Sequence, residues 1–276
     1  MTLEGVMQEN MDGEWGPRIR SVFMVKEIAE VVYQSEIATD IYSMLLKVTF
    51  ARDAVPGQFV SLYSADGSRL LPRPISICET DAGSGTIRLV YRIAGKGTKE
   101  FSGLEGGDRI EILGPLGNGF PIDEYKDKRV LLVGGGIGIP PLLYCADSLA
   151  EPVFAVGYRS ETYLLEDLKK RGEVHVATED GSLGTAGNVI DAIKADHVKA
   201  DVIMSCGPMP MLRALKAYAA EVGIPCYVSM EERMACGVGV CLGCVCGTVH
   251  VDEHSHVNNA RICKDGPVFD AKEVTL

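Results

Sequence analysis

Between Met24 and Lys126 apolar and polar positions alternate over short runs separated by turn residues. Ile41–Phe50 is rich in β-formers, and Val55-Pro56-Gly57 turns the chain into Gln58–Tyr63. Thr86–Arg92 alternates at period two, and Gly106-Gly107-Asp108 turns into Arg109–Leu113, just before Gly114-Pro115. Short strands at this spacing predict a small antiparallel β-barrel.

The pattern changes at about Lys128. Arg129–Val133 is continuously apolar after its first residue, as expected of a strand buried on both faces. A glycine-rich turn and a helix beginning near Pro140 follow it. Then come Val153–Val156, a helix over Glu161–Lys170, Val174–Thr178, a helix over Asn188–Ala195, Asp201–Ser205, a helix over Pro210–Glu221, and Cys226–Ser229. Strands alternating with helical crossovers predict an α/β doubly wound parallel sheet, whose ligands sit beyond the carboxyl ends of the strands. The turns after Val133 and Ser205 lie at such ends. From Glu232 onward little periodicity remains, and a segment this short has a weak core of its own, so a metal is expected to organise it. The expected division is a multidomain chain: a flexible extension (1–23, with Asp12-Gly13 and Gly16-Pro17), the barrel (24–127), the α/β domain (128–231) and a small C-terminal domain (232–276).

That last segment holds the sharpest chemical signal. Cys236-x4-Cys241-x2-Cys244 is followed, after eighteen intervening residues, by Cys263. This is the plant-type spacing of a [2Fe–2S] cluster, a one-electron carrier. Gly237, Gly239 and Gly243 let the backbone wrap closely around the sulfurs. A structural zinc site ordinarily uses two closely spaced cysteine pairs, and no second pair surrounds Cys263; inert buried thiols are the other plain reading. Counting Cys246 as a ligand breaks the spacing, so it reads as a bystander. His250, His254 and His256 raise a Rieske-type alternative, which would leave two of the four cysteines redundant. Val249–Arg261 reads as a polar hairpin returning the chain to Cys263.

Composition narrows the partners. A net charge of −11 over 276 residues argues against nucleic acid. No apolar run is long enough for a membrane span, and no basic stretch precedes an apolar run as in a signal peptide. Nine cysteines without such a signal point to a reducing, cytoplasmic setting.

Four further motifs are weaker alone. Gly134-Gly135-Gly136-Ile137-Gly138-Ile139-Pro140-Pro141 joins strand to helix and can admit a phosphate to free N–H groups. It is not the G-x-G-x-x-G fingerprint, whose third glycine would fall on Ile139, and it can also be a mere tight connection. Cys206-Gly207-Pro208 places a thiol beside a reactive ring or is a small buried thiol. Arg73, between Pro72 and Pro74 and near Ser76, suits a phosphate and a polar ring edge. Gly95-Lys96-Gly97-Thr98 can cradle a pyrophosphate. Arg159 is either a 2′-phosphate partner or a surface arginine.

In combination these motifs resemble the ferredoxin–NADP reductase superfamily, and within it the electron-transfer subunits of B-class dihydroorotate dehydrogenases. The specific motifs are Glu231-Glu-Arg-Met-Ala-Cys236 through Cys244, and Cys263-Lys-Asp-Gly-Pro-Val-Phe269. The eighteen-residue gap before Cys263 is longer than the family pattern. The resemblance implies FAD held by Arg73, Pro74, Ile75, Ser76, Val90, Tyr91, Arg92, Gly97 and Thr98. It implies NAD on Gly134, Gly135, Gly136, Gly138, Cys206, Gly207 and Pro208, and a [2Fe–2S] cluster on Cys236, Cys241, Cys244 and Cys263. A flavin must stand between nicotinamide and cluster, because one transfers electron pairs and the other single electrons. The implied function is the NAD-linked electron-transfer half of dihydroorotate oxidation in pyrimidine biosynthesis, acting with an FMN-containing catalytic subunit in a two-plus-two heterotetramer. No residue here reads as an acid or base for dihydroorotate. Two other readings remain: a reductase subunit of a sulfide dehydrogenase or NADH-dependent ferredoxin:NADP oxidoreductase, and a non-enzymatic flavin redox sensor.

Overall fold

The computed structural model describes residues 24–251 and 256–276. The expected extension (1–23) and His254 lie outside the described residues. Six antiparallel strands, β1 (Val25–Ala38), β2 (Ile41–Lys47), β3 (Phe59–Tyr63), β4 (Arg73–Asp81), β5 (Thr86–Arg92) and β6 (Arg109–Leu116), close a barrel in the order β1-β2-β5-β4-β3-β6. A short helix, α1 (Lys96–Phe101), follows β5. The barrel core contains Met44, Leu46, Val60, Leu62, Ile77, Leu89 and Ile112. Strand β1 lacks a clean alternation: it carries two register shifts against β2, and Ile28 is exposed on it.

A single turn, α2 (Ile122–Tyr125), leads into β7 (Arg129–Gly135). Then follow α3 (Pro140–Ala146), β8 (Glu151–Tyr158), α4 (Leu165–Lys169), β9 (Glu173–Thr178), β10 (Thr185–Ala186), α5 (Val189–Ala195), β11 (Val202–Cys206), α6 (Met209–Val222) and β12 (Cys226–Ser229). The C-terminal segment adds β13 (Val245–Gly247), β14 (Asn259–Arg261) and β15 (Val268–Asp270). The sheet runs β10-β9-β8-β7-β11-β12-β15, and its order reverses between β7 and β11. Period-two alternation serves both faces of β7. Leu131 and Val133 enter a core with Leu212 and Leu215 of α6, while Val130 and Leu132 enter one with Leu142 and Leu143 of α3.

Three expectations need adjustment. The helix expected from Glu161 starts only at Leu165, because Leu164 adopts a left-handed φ of 61° and Tyr158 Oη donates 2.7 Å to the Tyr163 carbonyl. The sheet is mixed, since β15 runs antiparallel to β12 with Val228 opposite Phe269. The C-terminal segment is also not organised by its cysteines alone: Met234, Ile262, Phe269 and Val274 share one core with Phe59 and Leu116 of the barrel and Leu131 of the sheet. The expected hairpin exists as the β13–β14 pair, though 252–255 lie outside the described residues. Among the described residues no helix is long and apolar enough to cross a membrane.

Candidate functional site

The cysteine arm wraps its sulfurs in backbone donors. The N–H groups of Val238 and Cys241 reach Cys236 Sγ at 3.4 and 3.5 Å, Gly239 N–H reaches Cys263 Sγ at 3.1 Å, and Cys263 N–H reaches Cys244 Sγ at 3.4 Å. Gly237 and Gly239 reach these positions with φ of 70° and 81°, the region where glycine alone is unstrained. Burial pushes the Cys236 thiol up, but the N–H groups of Val238 and Cys241 outweigh it and bring it down to about 6. Cys263 goes the other way: burial, with Cys244 adding to it, pushes it up to about 12. Cys244 and Cys263 are buried, and Cys241 is exposed. Among the described residues no three His, Cys, Asp or Glu side chains converge on a single-ion site. Thiols ringed by N–H donors fit a [2Fe–2S] cluster, whose sulfurs accept such bonds. Cys246 sits on β13 opposite Ala260, and burial raises its thiol.

This arm is fastened to the barrel. Asn118, just past β6, donates N–H 2.6 Å to Gly266 O, and its Nδ2 reaches the carbonyls of Lys264 and Asp265 at 3.1 and 3.0 Å. Within the arm Arg261 grips Asp265: Nε to Oδ2 and Nη2 to Oδ1, both 2.9 Å.

On the barrel, Arg73 opens β4 and lies against α1. A Cβ on Gly97 would fall 2.3 Å from Arg73 Nε, so the guanidinium occupies the space that only glycine leaves free. The Thr98 hydroxyl accepts the N–H groups of Ala94 at 2.9 Å and Gly95 at 3.2 Å, which folds the loop ahead of α1. Beside it lies an open groove of about 670 Å3, lined by Asp66, Arg69, Ile93, Gly95, Lys96 and Lys99. Pro74, Ile75 and Ser76 continue along β4. Val90 and Tyr91 on β5 are buried, and Tyr91 turns its ring into the barrel core, with its hydroxyl 2.8 Å from Gln34 Oε1. Only the backbone of Tyr91 can therefore face a ligand. Arg92 is exposed at the end of β5.

At the reversal of the sheet the two turns meet backbone to backbone. A Cβ on Gly138 would stand 2.3 Å from Cys206 O, and one on Gly207 would stand 3.0 Å from Gly135 N. Gly135, Gly138, Cys206, Gly207 and Pro208 are thus packed together at the switch point, where open α/β sheets bind ligands, while Gly134 lies against Ile139 and Leu142 and the space beside Gly136 is open. Cys206 is buried, which pushes its thiol well up. Glu231 is exposed by area, yet the protein packed around it raises its carboxyl, against an opposing pull from Arg92. Arg159, just past β8, is exposed, and its carbonyl accepts the Asp180 N–H at 3.2 Å.

Sequence motifs missed the joint between the lobes. Glu79 of β4 accepts from Arg88 at 2.8 Å and from Arg171; Arg88 also reaches Asp167 at 3.1 Å, and Arg171 reaches Asp147 at 2.7 Å. These ion pairs bridge β4 and β5 to the helices of the nucleotide lobe, and no local pattern marks them.

The comparisons agree with this arrangement. The iron–sulfur cluster binding domain of dihydroorotate dehydrogenase B matches residues 231–275. The dihydroorotate dehydrogenase B (NAD(+)) electron transfer subunit of Listeria welshimeri is 43% identical over 92% of this chain and all of its own length. Its Bacillus velezensis counterpart is 41% identical over 92% of this chain and all of its own length. Among solved structures, an NADH-dependent reduced ferredoxin–NADP oxidoreductase described for flavin-based electron bifurcation superposes with a TM-score of 0.80 at 31% identity, over 90% of this chain and 89% of that one. With such identity along nearly its whole length, and a cluster-binding arm of the matching type, the chain belongs to the family of dihydroorotate dehydrogenase B electron transfer subunits.

Proposed function

We propose that this chain carries FAD, a [2Fe–2S] cluster and an NAD site, and relays electrons from the FMN of a separate dihydroorotate-oxidising subunit to NAD. The observation that carries the reading is the joint: the N–H-ringed thiols are fastened by Asn118 to the barrel, and the same arm supplies β15 to the nucleotide sheet. FAD, when bound, supplies the conversion between hydride and single electrons. The chain's part is placement. Arg73 and the Gly97–Thr98 turn hold the flavin's phosphates, Pro74, Ile75 and Ser76 line the ring, and the backbone of Val90, Tyr91 and Arg92 completes the seat. The turns Gly134–Gly138 and Cys206–Pro208 receive the nicotinamide nucleotide. Cys236, Cys241, Cys244 and Cys263 ligate the cluster, with exposed Cys241 towards the partner. The domains divide at 127 and 231, the assembly is two of each chain, and the setting is cytoplasmic.

Anaerobic mixing with the catalytic subunit from the same source tests this. Dihydroorotate-dependent NAD reduction that requires both chains is the expected result. A catalytic subunit that reduces a dye but passes nothing to the loaded chain would overturn it. It would favour the second reading, a ferredoxin:NADP-type reductase subunit, which the 31% identical structure supports.

A further inference from the structure

Ser61 lies at the centre of β3, is 0% exposed, and its hydroxyl has no hydrogen-bond partner among the described residues. Alternation along the strand fixes its direction. Val60 and Leu62 face the barrel interior, whereas Phe59 and Tyr63 face the core that includes Met234, Cys244, Ile262 and Cys263. Ser61 shares the side of Phe59 and Tyr63. On its own sheet it is paired with Pro74, inside the Arg73–Ser76 stretch of β4. On its outward side its Oγ comes within 3.2 Å of where a Cβ on Gly237 would stand, and Gly237 follows Cys236. The hydroxyl therefore occupies the seam between the strand assigned to the flavin and the loop assigned to the cluster.

A hydroxyl shut away without a partner destabilises a fold, and Ala would fill this position with no such cost. What is missing is an acceptor, and the nearest loop is built to hold thiolate sulfur. We propose that Ser61 donates its hydroxyl proton to the sulfur on the Cys236 side of the bound cluster. This rests on the cluster reading given above. The N–H donors to Cys236 Sγ, those of Val238 and Cys241, come from the loop itself; Ser61 would supply one to the bound cluster from the barrel side. A donor at sulfur favours the reduced cluster, which carries one more negative charge, and so raises its potential.

The test is Ser61→Ala in the chain loaded with FAD and iron, read by redox titration of the reduced-cluster EPR signal. At a fixed potential near the midpoint the reduced-to-oxidised ratio should fall about threefold to tenfold, tenfold being 59 mV for a one-electron couple. One exchangeable-proton coupling should vanish from the hyperfine spectrum, with iron and FAD content unchanged. Ser61→Cys, which keeps a weaker donor, should fall between the two. A full cluster signal with an unchanged ratio and an unchanged coupling overturns the role of Ser61. Wild-type chain that holds no iron overturns the cluster reading and this proposal with it. Should Ser61→Ala not fold, Ser61→Cys decides: a partial fall supports the bond, and no change refutes it.

Discussion

Gly97→Ala separates ligand binding from folding at one position. Gly97 is buried in α1, and an added Cβ would stand 2.3 Å from Nε, 2.6 Å from Cζ and 2.8 Å from Nη2 of Arg73. Carbon contacts settle near about 3.5 Å, so the guanidinium must retreat by about 1 Å. A charge-assisted bond of normal length then passes out of hydrogen-bonding range. Loss of one such bond costs about 1.5–3 kcal/mol, which weakens FAD binding roughly ten- to a hundredfold. The helix responds in the opposite direction, because Ala is favoured over Gly in a helix by about 0.5–1 kcal/mol. The clash falls on a side chain that can swing away, so the apoprotein should be no less stable than wild type. Flavin fluorescence titration of the apoprotein gives the Kd, and denaturant unfolding gives the stability. In a double-mutant cycle with Arg73→Gln, Gly97→Ala should add little further loss. An unchanged Kd in Gly97→Ala, or full additivity with Arg73→Gln, would refute the assignment of Arg73 to the flavin phosphates.

Gly138→Ala meets backbone rather than side chain, 2.3 Å from Cys206 O, so it should cost about 1–3 kcal/mol in unfolding; stopped-flow reduction of FAD by NADH should slow while FAD and iron content hold. Glu79→Gln leaves Arg88 and Arg171 without their shared carboxylate, whose side chain is 23% exposed. A loss of about 1 kcal/mol at low salt is expected, shrinking at high salt, and a salt-independent loss would point to packing instead. Side-chain hydrogen bonds from Arg261 hold the Asp265 carboxyl below the usual carboxylate range. A depressed carboxylate contributes stability above its unfolded pKa and loses it as pH falls through the folded one. Asp265→Asn should therefore melt below wild type at neutral pH, with the gap closing in acid beneath the ordinary carboxylate range; a gap that widens in acid would contradict the pairing.

Strands with strong alternation or continuous burial were legible in the sequence. Thr86–Arg92 and Cys226–Ser229 appear at their expected limits, and Arg129–Val133 extends only through Gly135. Strand β1 was not legible, because its bulges break the alternation and much of it faces solvent. The start of α4 was obscured by a tertiary contact, the Tyr158 hydroxyl on the Tyr163 carbonyl. At the site, the four cysteines announced themselves by spacing. Tyr91 entered through family resemblance, and its ring proves to belong to the barrel core. Ser61, Glu79 and Asn118 carry no local signal, since each matters only through residues distant along the chain.

The packing of the arm bears on how electrons can cross the molecule. A segment organised by its metal alone would hang from the α/β lobe by Met230 and Glu231 and could vary its distance from the flavin. Instead Met230 N–H is bonded to Pro267 O at 2.9 Å, β15 is stitched to β12, and Asn118 ties the barrel to Lys264, Asp265 and Gly266. Phe269 and Ile262 are packed with Phe59 and Leu116 in one core. Dense packing of this kind resists displacement. On the proposed assignment of β4 to the flavin and the cysteine loop to the cluster, the path between them is a fixed seam through β3, and the proposal for Ser61 makes electron flow depend on groups built into that seam rather than on a hinge between domains.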